Sequence, residues 1–252
     1  MSAPPSTEAV RAAIRDNPVW YHTIELAPGV VTPGRVDLRG AASKLLPDDM
    51  QAKRALDVGT FDGFWAFEME RRGAEVVTID VATVEAAEWP PAARARLERV
   101  TEELGMELGR GFRLAAAALE SNVSRVVCDV YDLVPEAIGG PVDFAFSGSL
   151  LLHLRDPVRA LERIHSALNP GAELRIMEPI SLAATLRLPG RPAASFQAAH
   201  TDFNWWVPNL AGIYAWLRAA SFERIRRLAI LRPPSERRMR QFYAGYSARR
   251  AA

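Results

Sequence analysis

At 252 residues, the chain is long enough for one large α/β domain with a full core, or for such a domain with a modest insertion. Hydrophobic residues make up 49% of the chain and charged residues 24%, which is ordinary for a soluble globular protein. The formal net charge of +1 creates no overall field that would attract nucleic acid or a membrane surface.

Cys128 is the only cysteine in the sequence, which excludes an internal disulfide and a cysteine-built metal site. The four histidines are scattered and form no metal-ligand spacing with Asp or Glu, so no metal is predicted. No apolar run of about 18 residues and no apolar signal-peptide core occur, and these patterns predict a cytoplasmic protein without membrane contact.

Residues 1–50 are predicted to form an N-terminal helix and an arm, ahead of a main domain at residues 51–252. A short helix is expected at residues 7–15, with Ser6 or Thr7 as its cap and Asn17-Pro18 as its stop. The following arm contains Tyr21 and His22 and ends in two Pro-Gly turns. It is either a lid over a ligand pocket or a segment packed on the domain's own surface.

Residues 54–80 have the pattern of a strand, a tight turn, a helix and a second strand. An apolar run ends at Asp57, a turn follows from Gly59 to Gly63, and a second apolar run stops at Asp80. Glycines let a ligand approach the backbone, amides at the helix start favour its polar groups, and the Asp80 carboxylate can bind both hydroxyls of a ribose. The pattern predicts a nucleoside-containing cofactor, with a generic glycine-capped corner as the alternative.

The glycine spacing separates this turn from a dinucleotide fingerprint. That fingerprint is Gly-x-Gly-x-x-Gly, whereas Gly59 and Gly63 have three residues between them and Phe61 stands at the middle position. Asp57, just before the turn, suits an ammonium group better than a pyrophosphate.

Further along the chain, strands and helices alternate, which predicts a doubly wound, mostly parallel sheet with ligands at the carboxyl ends of its strands. The remaining strands are expected at residues 125–129, 142–147, 172–178, 224–231 and 239–246, and the helices at 64–72, about 91–104, 112–120, 150–168 and 209–220. Residues 180–207 interrupt this alternation and are predicted to be an insertion over the pocket. The residues expected at the binding edge of the first five strands are Asp57, Asp80, Asp129, Ser147 and Glu178.

The order of these motifs resembles the class I S-adenosylmethionine (SAM)-dependent methyltransferases over almost the whole chain. The resemblance rests on the glycine turn, the acid at Asp80, the pair Asp129-Val130, the His-Leu-x-Asp-Pro segment after Ser147, and Asn-Pro-Gly before the fifth strand. It implies a seven-stranded Rossmann-like fold with SAM as the cofactor. The cofactor-binding residues are then expected to be Tyr21, Asp57, Gly59, Thr60, Phe61, Gly63, Asp80, Val81, Asp129, Val130 and Ser147.

A closer resemblance is to the tRNA uridine-34 carboxymethyltransferase-like branch, through the arm, the segment Asp-Val-Gly-Thr-Phe-Asp-Gly-Phe and the segment Asn-Trp-Trp-Val-Pro-Asn. Enzymes of that branch hold the extra carboxylate of carboxy-SAM with an arm lysine and a tyrosine before the histidine. Here the arm has no lysine, and Leu152 precedes His153. Because an unpaired carboxylate in an apolar pocket is costly, plain SAM is predicted.

Methyl transfer requires the acceptor to be held in line in a dry site, and a hydroxyl or amine acceptor must also lose a proton. His153, expected at the start of the helix after the fourth strand, is the first candidate for the base, with a turn-stabilising histidine as the alternative. Glu178 is the second candidate and could instead stabilise a carbocation on an alkene acceptor. His200 and Asp202 in the insertion are third.

The aromatic insertion predicts a small apolar acceptor, aromatic or isoprenoid, contacted by His200, Trp205 and Trp206. The alternative partner is tRNA, favoured by the family resemblance and by nine arginines in the last thirty residues. A SAM-binding protein without catalysis is a third hypothesis. The sequence patterns define neither the acceptor atom nor the oligomeric state.

Overall fold

The structure is a computed structural model that describes residues 5–199, 203–236 and 241–252. Its centre is a seven-stranded sheet with the order β5-β4-β3-β6-β7-β11-β10. The strands are β1 (Glu25–Ala27), β2 (Val30–Val31), β3 (Arg54–Val58), β4 (Glu75–Asp80), β5 (Ser124–Val127), β6 (Val142–Gly148), β7 (Leu168–Ile180), β8 (Ala194–Phe196), β9 (Trp206–Pro208), β10 (Glu223–Leu231) and β11 (Phe242–Arg249).

The pairings β5–β4, β4–β3, β3–β6 and β6–β7 are parallel, whereas β11 is antiparallel to both β7 and β10. The carboxyl ends of β3, β4, β5, β6 and β7 therefore lie at one edge of the sheet. This arrangement confirms the predicted Rossmann-like, mostly parallel seven-stranded fold.

Helices cover both faces of the sheet. They are α1 (Thr7–Asp16), α2 (Arg39–Leu45), α3 (Phe64–Glu70), α4 (Pro91–Leu104), α5 (Arg110–Leu119), α6 (Pro157–Ala167), α7 (Leu182–Arg187) and α8 (Leu210–Ala219). Side-chain caps begin several of them: the Ser6 hydroxyl accepts from the Ala9 amide, and the Asn209 side chain accepts from the Gly212 amide. The predicted cap of the first helix is thus confirmed at Ser6.

The core has two parts, one on each face of the sheet. One part contains Phe64, Trp65 and Phe146 together with buried residues of the arm, such as Trp20. The other packs α6 and α8 against the opposite face. The arm, including the short hairpin β1–β2, is therefore packed into the same core as the sheet.

The helix predicted at residues 150–168 is divided in the structure. A 3₁₀ turn spans Leu151–His153, and α6 begins only at Pro157, where the Asp156 side chain accepts from the Arg159 amide. Proline is favoured at the first helical position and breaks a helix interior, so the break falls just before Pro157. The expectation that His153 starts this helix was therefore wrong, because the residue belongs to a separate turn.

Two strands also have different limits from those predicted. β5 ends at Val127, and Asp129 instead caps a short turn. β7 begins at Leu168, so the Asn-Pro-Gly segment lies in its irregular first part, where its register against β6 shifts. The predicted start of the last strand, Met239, lies outside the described residues.

Within the described ranges, no helix combines the length and apolar character needed to cross a membrane.

Candidate cofactor site and active site

The turn between β3 and α3 is sharp because three of its residues have left-handed backbone conformations. The φ angles are 77° at Gly59, 48° at Phe61 and 91° at Gly63. A Cβ atom at Gly63 would lie 2.4 Å from the Phe67 ring, so this position requires glycine. Phe61 occupies the position of the missing middle glycine and adopts the backbone conformation that a glycine would supply there.

Asp80 fixes this turn from the end of the next strand. Its Oδ2 accepts a hydrogen bond from the Phe61 amide at 2.9 Å, and its Oδ1 accepts from the Val81 amide at 2.8 Å. Burial raises the pKa of Asp80. Each carboxylate oxygen keeps acceptor capacity beyond one amide, so the fixed side chain can bind ribose hydroxyls.

Asp57 is a buried carboxylate at the end of β3, with 1% of its surface exposed. Neither of its oxygens, nor the Thr60 hydroxyl, makes a hydrogen bond of good geometry among the described residues. Burial raises the pKa of Asp57 to about 7, although the Thr60 hydroxyl and the Ala66 amide lie near enough to lower this pKa partly. Buried polar atoms in proteins are normally bonded, so the bare oxygens indicate a ligand that donates hydrogen bonds. The ammonium group of SAM fits this requirement.

The remaining predicted cofactor residues lie along the same edge with different surroundings. Asp129 accepts the Tyr131 amide at 2.8 Å through Oδ1, while Val130 is buried in the turn that follows. Ser147 is fully buried and pairs with Val58, so its side chain lies on the sheet face opposite to that of Asp57. Ser147 is therefore near the site through its place close to the end of β6, whereas its side chain lies on the opposite face of the sheet.

The arm contacts the glycine turn through Asp62, a residue that the sequence did not single out. Its Oδ2 accepts the amides of Tyr21 at 2.6 Å and His22 at 2.9 Å. The Tyr21 ring then meets the Phe61 ring edge-on at 5.7 Å. Burial, followed by the nearby Tyr243, raises the pKa of Tyr21. The arm is thus packed into the core and also contacts the glycine turn (Gly59 to Gly63), which is called the cofactor turn below.

His153 lies in the turn after β6 and has aromatic neighbours. Its Nδ1 lies 2.6 Å from the Phe203 carbonyl oxygen, and the Trp89 ring is 5.4 Å away in an edge-on arrangement. Because the carbonyl can only accept, the proton is assigned to Nδ1, which leaves the lone pair on Nε2. Burial lowers the pKa of His153, so the ring is neutral at pH 7.

Glu178, near the end of β7, is buried and supports this turn. Its Oε1 accepts the amides of Leu150 and Leu151, each at 3.0 Å. Burial raises the pKa of Glu178 to about 8. The Leu150 side chain lies over Gly59, 3.1 Å from the point that a Cβ would occupy there. Glu178 therefore holds the backbone just before the His153 turn, where the Leu150 side chain packs over the glycine turn.

The insertion is tied to the same region by its tryptophans. The Trp205 backbone amide donates to the Leu152 carbonyl at 2.7 Å, and its indole N–H donates to the Glu88 carbonyl at 2.6 Å. The Trp206 indole N–H donates to the Arg155 carbonyl at 3.0 Å. The predicted contact His200 and the candidate Asp202 lie outside the described residues.

In the part of the chain that the structure describes, no group of His, Cys, Asp and Glu side chains could hold a metal ion.

This fold and this edge define the class of the protein. Residues 35–229 match the family described as "Methyltransferase domain", and the chain belongs to that family. The chain is thus a methyltransferase of the SAM-dependent class, with SAM as its cofactor.

Solved structures with the same fold include two SAM-dependent methyltransferases. One, from Mesorhizobium loti, is 15% identical with a TM-score of 0.52, and the match covers 84% of this chain and 97% of the other. The second, from Methanosarcina mazei, is 18% identical with a TM-score of 0.53, and the match covers 86% and 99% of the two chains. At these identities the likeness establishes the fold alone.

Sequence relatives include tRNA U34 carboxymethyltransferases. That of Pseudomonas paraeruginosa is 28% identical over 178 residues, which are 69% of this chain and 46% of the relative. That of Campylobacter hominis is 25% identical over 182 residues, which are 72% and 54% of the two chains. The present chain thus spans about half the length of the curated relatives that it matches.

Proposed function

We propose that this protein transfers the methyl group of SAM to a small apolar acceptor of aromatic or isoprenoid character. The observation that carries the proposal is the surroundings of His153. The neutral His153 ring meets the Trp89 ring edge-on and contacts the Phe203 backbone carbonyl through Nδ1, on the turn whose Leu150 packs over the glycine turn. An aromatic ring beside a base of fixed orientation suits an apolar substrate with one ionisable acceptor group.

SAM supplies an electrophilic methyl group on its sulfonium. Asp80 binds the ribose, Asp57 binds the ammonium group, and the backbone of Gly59 to Gly63 lets the cofactor approach closely. His153 accepts the proton of a hydroxyl or amine acceptor at Nε2, while the Phe203 carbonyl holds Nδ1–H and fixes the ring orientation.

Glu178 is a positioning residue in this proposal. Its hydrogen bonds to the Leu150 and Leu151 amides set the turn that carries His153, and its raised pKa keeps it largely protonated at pH 7. If His153 is not the base, the ionised form of Glu178, which gains population as the pH approaches 8, is the next candidate.

The N-terminal arm and the insertion at about residues 180–207 are proposed to cover the site from two sides. Tyr21 contacts the cofactor turn, whereas Trp205 joins the insertion to the turn of His153 through the Leu152 carbonyl. Closing both sides excludes water, which favours transfer to the acceptor over side reactions.

A second candidate function is tRNA modification. It is favoured by the name of the relatives, tRNA U34 carboxymethyltransferase, and by the exposed arginines Arg224, Arg226 and Arg227 on β10. β10 is an edge strand, and charged residues on an edge strand also prevent pairing with other chains. This explanation does not require RNA.

The test is methyl transfer from SAM labelled in its methyl group. The purified protein is incubated with a small-molecule extract of its source organism in one arm and with total tRNA in another. The proposal predicts label in low-molecular-weight apolar products that needs intact His153. Label in tRNA alone would contradict the proposal, and SAM binding without any labelled product would favour a non-catalytic SAM-binding protein.

A further inference from the structure

The indole N–H of Trp65 is a buried donor for which the described part of the fold supplies no acceptor. Trp65 lies on α3 with 3% of its surface exposed, and its Nε1 has no hydrogen-bond partner in the described part of the chain. The indole N–H of Trp20, by contrast, donates to the Ile14 carbonyl at 3.1 Å. A tryptophan that is buried usually finds such a partner, so the bare N–H of Trp65 indicates a ligand.

The position of this N–H places it at the binding edge of the sheet. A Cβ atom at Gly148, the last residue of β6, would lie 2.5 Å from Trp65 Nε1. The indole nitrogen therefore lies against the backbone where β6 ends. Gly148 has no side chain, and this absence makes the approach possible.

Trp65 also lies on the same sheet face as Asp57. Its ring packs on Phe146 with centroids 4.1 Å apart, and Phe146 pairs with Asp57 across the neighbouring parallel strands. Paired residues of adjacent strands direct their side chains to one face of the sheet. Asp57 and Trp65 therefore lie on one face of the sheet near its binding edge, and neither makes a hydrogen bond of good geometry among the described residues.

The two groups are complementary to an α-amino acid. Asp57 offers two acceptor oxygens, which suit an ammonium group, and Trp65 offers one donor, which suits a carboxylate. We propose that Trp65 Nε1–H donates a hydrogen bond to the carboxylate at the amino-acid end of SAM, while Asp57 binds its ammonium group. This inference rests on the proposed function, because it concerns the cofactor of that reaction.

The assignment gives Trp65 a role in ligand selection. A ligand that keeps the amine but lacks the carboxylate still satisfies Asp57 and leaves the Trp65 N–H buried without an acceptor. The protein therefore discriminates against such a ligand. A residue that acted only through packing would affect both ligands alike.

The experiment is calorimetric titration with S-adenosylhomocysteine (SAH) and with its decarboxylated analogue, which retains the amine. Wild-type protein is expected to prefer SAH by about 10- to 100-fold, the effect of one hydrogen bond to a charged group. Trp65→Phe keeps an aromatic ring against Phe146 but removes the N–H, so the preference is expected to fall to within about twofold of unity. Trp20→Phe, the matched control, is expected to retain the wild-type preference.

Gly148→Ala provides a second variant should Trp65→Phe fail to fold. Its added methyl group displaces the indole nitrogen, and the same selective loss of SAH affinity is expected. The inference is overturned if either folded variant keeps the full preference for SAH, or if both ligands weaken equally. Binding of neither ligand by the wild-type protein would contradict the proposed function itself.

Discussion

At the scale of single residues, the account depends most on the protonation state of His153. Replacing His153 with alanine removes the base, so turnover is expected to fall about 100-fold or more. The affinity for SAH is expected to stay within about twofold, because the cofactor contacts are elsewhere. His165→Ala is the control, since that ring packs on Phe222 away from the site. Unchanged turnover in His153→Ala would transfer the role to Glu178.

The pH dependence of turnover gives an independent test of the same residue. Burial lowers the pKa of His153 from its ordinary value of 6.5, so the ring remains a base in mildly acidic solution. The acidic limb of the turnover profile is expected below pH 6.5 and should be absent from the residual activity of His153→Ala. A limb above pH 6.5 would mean that another group loses the proton.

Glu178 is expected to make the stability of the ligand-free protein depend on pH. Its pKa is raised by burial to about 8, above the ordinary value of 4.5, so its contribution is complete below pH 4.5 and is lost as the pH rises through 8. Glu178→Gln keeps an acceptor oxygen for the Leu150 and Leu151 amides but cannot ionise.

The measurement is the melting temperature at pH 6 and pH 9 for both proteins. Between these values the wild type is expected to lose roughly 6–12 °C more than Glu178→Gln, corresponding to about 3 kcal/mol. Glu102→Gln, at an exposed helical position, is the control. Equal losses in the wild type and Glu178→Gln would show that Glu178 is not a buried neutral carboxyl group.

The sequence identified Asp57 and Asp80 because acidic residues at the ends of apolar runs are visible in the chain itself. It did not identify Asp62, because its partners, the amides of Tyr21 and His22, lie about forty residues away. Trp65 was not distinguished from an ordinary core residue of a helix. Its unpartnered N–H becomes apparent only from the contact with Gly148, which is distant in sequence.

At the scale of elements, the arm is expected to depend on Asp62. Asp62→Ala leaves the Tyr21 and His22 amides without their acceptor, and the resulting cost of about 1–3 kcal/mol each should loosen the arm. Hydrogen exchange in residues 19–36 is expected to accelerate, and SAH binding to weaken. Asp37→Ala, which removes hydrogen bonds to the Arg39 side chain and amide but none to the arm, is the control. Unchanged exchange in Asp62→Ala would contradict this role.

The alternation of apolar runs and helical segments predicted the central strands of the sheet well, because β3, β4 and β6 are nearly continuous buried runs. The boundaries failed where a local cap decides them, as at Asp156 and Pro157. Helix α2 was not predicted because its sequence, with Gly40 and no side-chain cap, favours a helix only weakly. Its Leu45 packs against Gly245 of β11, a contact between distant parts of the chain.

At the scale of the whole molecule, charge separates the two candidate functions. The net charge is +1, and Arg224, Arg226 and Arg227 are exposed on a single edge strand. For a small-molecule enzyme, binding of tRNA at micromolar protein is expected to be weak and to change little with salt. If the protein binds tRNA phosphates, the logarithm of its affinity for tRNA should fall linearly with the logarithm of the salt concentration, with a slope of about −0.7 to −0.9 per phosphate contact. A steep slope that Arg226→Ala reduces would favour the tRNA function.

The cofactor site is central to every other assignment, and calorimetric titration of SAH tests it most directly. The wild-type protein is expected to bind SAH, and Asp80→Ala to bind it about 10- to 100-fold more weakly, because the ribose loses a charged acceptor and the Phe61 amide loses its partner. Asp132→Ala, which removes an exposed carboxylate, should match the wild type. No SAH binding by the wild type, or equal binding by Asp80→Ala, would contradict the account.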